Sequence, residues 1–231
     1  MDECPPVCYD MSEGGDRMRD MPFFATDHGV ASLTLKEIPY KKEAYIRIQA
    51  AESPEKLLAE CVSFCRACGA EHIYATGNCI AEQYPLHTKI WEMACPKERL
   101  PDTDAALFPV QENTLSQWRE HYNIRMATVP NAATMTIQDS QKLLEEGSAY
   151  FIHKGDTLLG IGKASGDRID AVAALIPGSG REVVAALSHA ISEEMIRVEV
   201  ASANLPAVRL YEAMGFIKTA ENAVWYRVFP E

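Results

Sequence analysis

The chain has 231 residues, 47% of them hydrophobic and 24% charged, enough to bury the core of one large domain or two small ones. Its net charge of −11 argues against the basic surface that non-specific nucleic-acid binding needs, but not against a small anion held by amides at a helix start. No apolar run approaches the ~18 residues of a membrane span, and Met1 to Asp20 is acidic without the apolar stretch of a secretory signal, so a cytoplasmic protein is expected.

Residues 1–22 read as a mobile tail. Residues 23–100 read as a β-α-β unit. Its strands are Gly29 to Leu35 and Ala44 to Ala50, joined by a polar turn, Pro39-Tyr40-Lys41-Lys42. Ser53-Pro54-Glu55 opens a helix, with Ser53 as cap and Pro54 in the first turn. Leu57, Leu58, Cys61, Val62, Cys65 and Cys68 form its apolar stripe, and Gly69 ends it. Short strands follow at Glu71 to Ala75 and His87 to Ala94.

Pro96 to Pro109, with three prolines and several charges, is the expected linker, separating residues 23–100 from a domain over 101–231. Helices are expected over Glu112 to Tyr122 and Ile137 to Glu146. Thr136 and Asp139 make a variant capping box for the second, and Gly147 ends it. Three strands then meander: Ser148 to His153, Thr157 to Ala164 and Arg168 to Ile176, with turns at Gly155 and Gly166. A helix from Gly180 to Ser192, a strand from Met195 to Ala201, a short helix and two strands, Phe216 to Thr219 and Val224 to Phe229, complete the chain. The class is α/β or α+β: a mixed, largely antiparallel sheet with helices on its faces.

Seven cysteines form no tight framework. Cys61, Cys65 and Cys68 share one helix face and read as small buried hydrophobes, while Cys4 and Cys8 fall in the tail. No further ligand pair appears at regular spacing, so no metal is expected.

Two constellations carry chemistry. The first is Ile176-Pro177-Gly178-Ser179-Gly180-Arg181, between a strand and a helix. Glycines there let amides point at a phosphate, the helix dipole adds about half a positive charge, and Arg181 can add a charge-assisted contact. A plain turn has the same composition, and the spacing alone weighs the two equally. The second is Asn204 to Phe216. An amphipathic helix there places Ala207, Leu210, Tyr211 and Met214 on one face, and Tyr211 is the titratable group on it. Spacing alone favours a core helix.

Taken together, these elements resemble the GNAT (GCN5-related) N-acetyltransferase superfamily. The resemblance spans roughly residues 107–229. It rests on the strand Arg197-Val198-Glu199-Val200, then Asn204, Ala207, Leu210, Tyr211, Gly215 and Phe216, with two helices and a three-strand meander upstream. Gly178 and Gly180 fit the phosphate-loop anchors of that family. Leu175 stands where it usually has Gln or Arg, and the loop is short around Pro177.

The resemblance implies transfer of an acetyl group from acetyl-CoA to a primary amine, by direct attack in a ternary complex. The third meander strand would splay from Met195–Ala201, with pantetheine in the gap on backbone groups of Ala173, Ala174, Leu175 and Ile176. One of those amides would polarise the thioester carbonyl. Gly178, Ser179, Gly180 and Arg181 would hold the pyrophosphate and Asn204 the coenzyme arm. Tyr211 would protonate the leaving thiolate as general acid. Glu199, Asp170, His189 or water would accept the amine proton, with Glu199 beside the splay. The N-terminal unit reads as a degenerate half of the same fold. Its helix start offers a phosphate few amides because Pro54 has none, and it would wall off the acceptor site instead.

The alternatives are a non-catalytic acyl-CoA sensing module, suggested by Leu175 and the short loop, and a structural domain that has lost its ligand. The expected acceptor is a small-molecule or peptide amine, and net charge favours a cationic one. Polyamines, aminoglycosides, amino acids and protein N-termini all qualify. A homodimer is among the assemblies left open.

Overall fold

The structure is a computed structural model and describes residues 23–228. The expected tail, Cys4, Cys8 and the strand end at Phe229 lie outside the described residues. The chain forms two compact units. Among the described residues, one is built from residues 23–88 together with residues 223–228, the other from Lys89–Asn222. The segment Pro96 to Pro109, expected as the linker, lies inside the second.

In the first unit, β1 (Phe23–Thr26) and β2 (Gly29–Thr34) make a hairpin, of which the sequence reading had only the second strand. The expected polar turn is a short helix, α1 (Ile38–Lys41), closed by Lys42 in the left-handed region at φ 58°. Then come β3 (Glu43–Ala51), antiparallel to β2, α2 (Pro54–Ala67), and β4 (His72–Thr76), parallel to β3. Ser53 holds the cap position of α2 without a side-chain hydrogen bond. Leu57, Leu58, Cys61, Val62 and Cys65 pack on Leu33, Ile46 and Ile48, whereas Cys68, at the helix end, is exposed. Tyr226 to Val228 run antiparallel to β4, and Val228 joins this core.

β5 (Leu86–Pro96) leads into the second unit, followed by a 3₁₀ turn (Lys97–Arg99) and β6 (Ala106–Pro109). α3 (Leu115–Met126) starts and ends later than expected. α4 (Ile137–Glu146) has the expected bounds. Thr136 Oγ1 accepts from the Asp139 amide, and the Asp139 carboxylate accepts from the Thr136 amide. The meander is β7 (Ala149–Lys154), β8 (Thr157–Ser165) and β9 (Arg168–Ala174), the last two residues shorter than expected. α5 (Gly180–Ser188) stops one turn early, and β10 (Met195–Ala201) and α6 (Leu205–Ala213) follow. The two expected final strands are one, β11 (Ile217–Val228), because no glycine or proline interrupts it.

Within this unit the strand order is β5-β10-β9-β8-β7-β6, antiparallel except for β9 beside β10. This mixed, largely antiparallel sheet with flanking helices bears out the expected class. Two cores form on its faces. Val183, Val184 and Leu187 of α5, Val208 and Tyr211 of α6, and Met214 just after it pack with Ile196 and Val198. Leu115 and Trp118 of α3 and Leu143 of α4 pack with Phe151, Ile161 and Ala173. Helix α5 sits directly on the β8 backbone: a Cβ at Gly162 would stand 2.3 Å from Leu187 Cδ1.

Candidate active site

β9 and β10 pair only at their starts, Arg168 beside Arg197 and Ile169 beside Val198. Two arginines side by side repel, and the carboxylate of Glu92 on β5 reconciles them. It binds Arg197 Nη1 at 2.8 Å and also Arg168, while Asp167 takes Arg197 Nε at 2.8 Å. Beyond this clamp the strands part. A cavity of about 420 Å³ opens between residues 169–174 of β9, Glu199 and Val200 of β10, and Asn204, Ala207 and Tyr211. Its far wall is α3 from Tyr122 and the loop as far as Ala133.

Register fixes which backbone groups of β9 face the gap. The Leu175 amide donates to the Leu159 carbonyl at 2.8 Å, and Ala173 lies opposite Ile161. Alternation in an antiparallel ladder therefore turns Ala171, Ala173 and Leu175 toward β8 and leaves the N–H and C=O of Val172 and Ala174 on the edge facing β10. Of the four residues expected to present backbone groups, Ala174 does so. The Ala173 amide faces β8, and those of Leu175 and Ile176 are both spent on the Leu159 oxygen. Val172, outside the expected set, lies on the same open edge, a matter of register that only the partner strand decides.

Tyr211 is 7% exposed on α6, and its ring lies 5.4 Å from that of Phe216. Among the described residues no group hydrogen-bonds its hydroxyl. Burial pushes the phenol up to about 12. Asn204 caps α6, accepting from the Ala207 amide at 3.4 Å, and also lines the cavity. The short helix thus begins and aims its tyrosine at the same gap.

The turn before α5 divides its labour. Gly178 has φ 88°, a conformation an L side chain rarely adopts. The Ser179 hydroxyl lies within reach of the Leu159 and Ile176 carbonyls at 3.0 and 2.9 Å, so it braces the turn from inside. Gly180 lies against α6, where a Cβ would meet Leu210 Cδ2 at 3.0 Å. The first-turn amides of α5 have no intrahelical partner, as at any helix start. The exposed Arg181 reaches the Ala213 carbonyl at 3.4 Å. Leu175 packs its side chain with the α3–α4 core.

The candidate bases differ in placement. The Glu199 carboxylate lines the cavity at 44% exposure, accepts from Asn222 at 2.7 Å and lies 3.6 Å from Arg168. Asp170 also lines it and accepts from the Ser165 hydroxyl at 2.8 Å. His189 is exposed at the end of α5 and does not line the cavity. On the far wall stand Tyr122, Arg125 and Asn131, none anticipated, since only the tertiary packing of α3 carries them to β9.

Comparison with known proteins agrees with this geometry. Residues 177–226 match the family model of FR47-like proteins, a span running from the turn before α5 into the last strand. No curated protein matches in sequence. Among solved structures, a conserved protein of unknown function from Staphylococcus epidermidis is similar over 92% of this chain and 95% of its own, at TM-score 0.57 and 12% identity. A GCN5-related N-acetyltransferase from Sphaerobacter thermophilus is similar over 86% and 76%, at 0.55 and 13%. Another from Kribbella flavida is similar over 88% and 58%, at 0.50 and 13%. The chain therefore has the fold of the GCN5-related N-acetyltransferase superfamily, with an FR47-like segment over residues 177–226.

Proposed function

We propose that the unit from Lys89 to Asn222 transfers an acetyl group from acetyl-CoA to a primary amine. The observation that carries this is the parting of β9 from β10, with open backbone edges at Val172 and Ala174 on one side and the Tyr211 hydroxyl on the other. The open edges suit the amides of pantetheine, and the start of α5 suits its pyrophosphate.

The amine nitrogen attacks the thioester carbonyl carbon, a C–N bond forms, and a β9 edge amide bonds the oxyanion. Collapse breaks the C–S bond. The departing thiolate takes the Tyr211 proton, and the phenolate is reprotonated from water. The raised phenol keeps its proton at neutral pH, as a donor must. The proton lost by the amine passes to Glu199, directly or through water, at the solvent-facing rim. The products are the N-acetyl amine and coenzyme A.

The test is coenzyme A release over a panel of amines, wild type against Tyr211→Phe, beside calorimetric titration with acetyl-CoA. Turnover that falls in the variant supports the reading, and equal rates remove Tyr211 from it. Tight binding without turnover over the whole panel would instead favour an acyl-CoA sensor.

A further inference from the structure

The far wall of the cavity has its own chemistry. The charged side chains around the cavity are Asp170 on β9, Glu199 on β10 and, on the far wall, Arg125. Both carboxylates already have cations near them. Arg168 lies 3.6 Å from Glu199, and Lys163 3.9 Å from Asp170. Arg125 is different. Among the described residues it meets no carboxylate, and its contact is to a neutral group, Nη2 donating to the Leu175 carbonyl at 2.7 Å. A guanidinium has five N–H donors, so one fixes the side chain beside β9 and the others remain for a ligand.

A second observation lies on the same wall. Asn131, in the loop after α3, lines the cavity, and its buried Oδ1 has no hydrogen-bond partner. It sits at φ 60°, so the backbone adopts a left-handed conformation to place it. A buried acceptor left unpaired is costly. What the wall offers a ligand is the uncompensated fork of donors of Arg125, which suits a carboxylate.

We infer that the acceptor is an amino-acid-type amine, one whose nucleophilic nitrogen is accompanied by a carboxylate. Arg125 binds the carboxylate through the donors that its bond to the Leu175 carbonyl leaves over. This reverses the bias toward a cationic acceptor drawn from net charge, because the local wall and not the distant surface sets the choice. The inference rests on the transferase reading of this cavity and names the acceptor class for it.

Matched pairs test it: phenylalanine against phenethylamine, and lysine against 1,5-diaminopentane. Acetyl transfer is followed in the full chain, and binding of each amine to the coenzyme A-loaded protein by calorimetry. The carboxylated partner is expected to win by about tenfold or more, the scale of a charge-assisted hydrogen bond. Arg125→Gln should erase that preference by raising KM for the carboxylated partner alone, with acetyl-CoA affinity unchanged. Transfer without discrimination, or a preference that survives in Arg125→Gln, overturns the inference and leaves the transferase reading intact. Discrimination in binding without transfer overturns the transferase reading and leaves the carboxylate site. Wild-type pairs that neither react nor bind overturn both.

Discussion

Asn123 grips Met135 by both ends of its amide: Oδ1 accepts from the Met135 N–H at 2.8 Å, and Nδ2 donates to its carbonyl at 3.0 Å. One side chain on α3 thereby closes the whole loop between the two helices, the loop that presents Asn131. Asn123→Ala removes both bonds and should cost about 1–2 kcal/mol of stability. Amide exchange should quicken across residues 127–135, and KM for the acceptor should rise while acetyl-CoA affinity holds. An unchanged exchange pattern would show that the loop is held by its own turns.

Tyr211→Phe separates stability from chemistry. The hydroxyl has no partner to lose, so the thermal midpoint should stay within the range of a neutral surface change, about 0.5 kcal/mol, while kcat falls by about 10²–10³. The pH behaviour is also distinctive. The phenol titrates near 12 when folded and near its ordinary 10 when unfolded. The unfolded chain therefore gives up this proton first. The stability linked to it is complete below pH 10 and is lost as pH rises through about 12. Unfolding in urea from pH 9 to 12 should show a shallower decline in the phenylalanine variant.

Glu92 is 12% exposed between two arginines. Glu92→Gln removes the charge that lets Arg168 and Arg197 stand side by side, leaving Asp167 to one of them. Partial exposure softens the loss, so about 1–3 kcal/mol is expected from urea melts. The mutation acts at the closed end of the splay. It should also raise KM for acetyl-CoA, because repulsion there alters how far the strands part.

Thiol labelling should sort the cysteines by burial. Desolvation lifts Cys61 to about 11 and Cys65 to about 12, and both side chains are fully buried. At pH 8 neither should form the thiolate that reacts. Cys68 and Cys79, both exposed, should be modified in native protein, with Cys61 and Cys65 following only in denaturant. Peptide mass spectrometry reads the order directly.

What was legible in the sequence was what depends on neighbours along the chain. The Thr136–Asp139 box and the bounds of β10 are local, and the structure has them as read. The Leu57–Cys65 stripe packs as its spacing predicts. What failed was non-local or carried too few residues. β1 and β6 have four residues each, too few for a period to show. The gap-facing backbone groups of β9 depend on its register with β8, which leaves those of Val172 and Ala174 on the open edge and spends the Leu175 and Ile176 amides on the Leu159 oxygen. Arg125 and Asn131 have no motif. They meet the site only because α3 packs across β8 and β9.

The path of the chain has a consequence for synthesis. The core of the first unit includes Val228, although the rest of that core lies before Thr88. The second unit is one uninterrupted stretch, Lys89–Asn222. On the ribosome, the earlier-made segment must wait for residues near 228 before its core can close, while the later-made unit already has every residue it needs. Order of folding and order of translation are therefore opposed, and a chain ending at residue 222, once released, should protect α5 and α6 from protease while leaving α2 exposed.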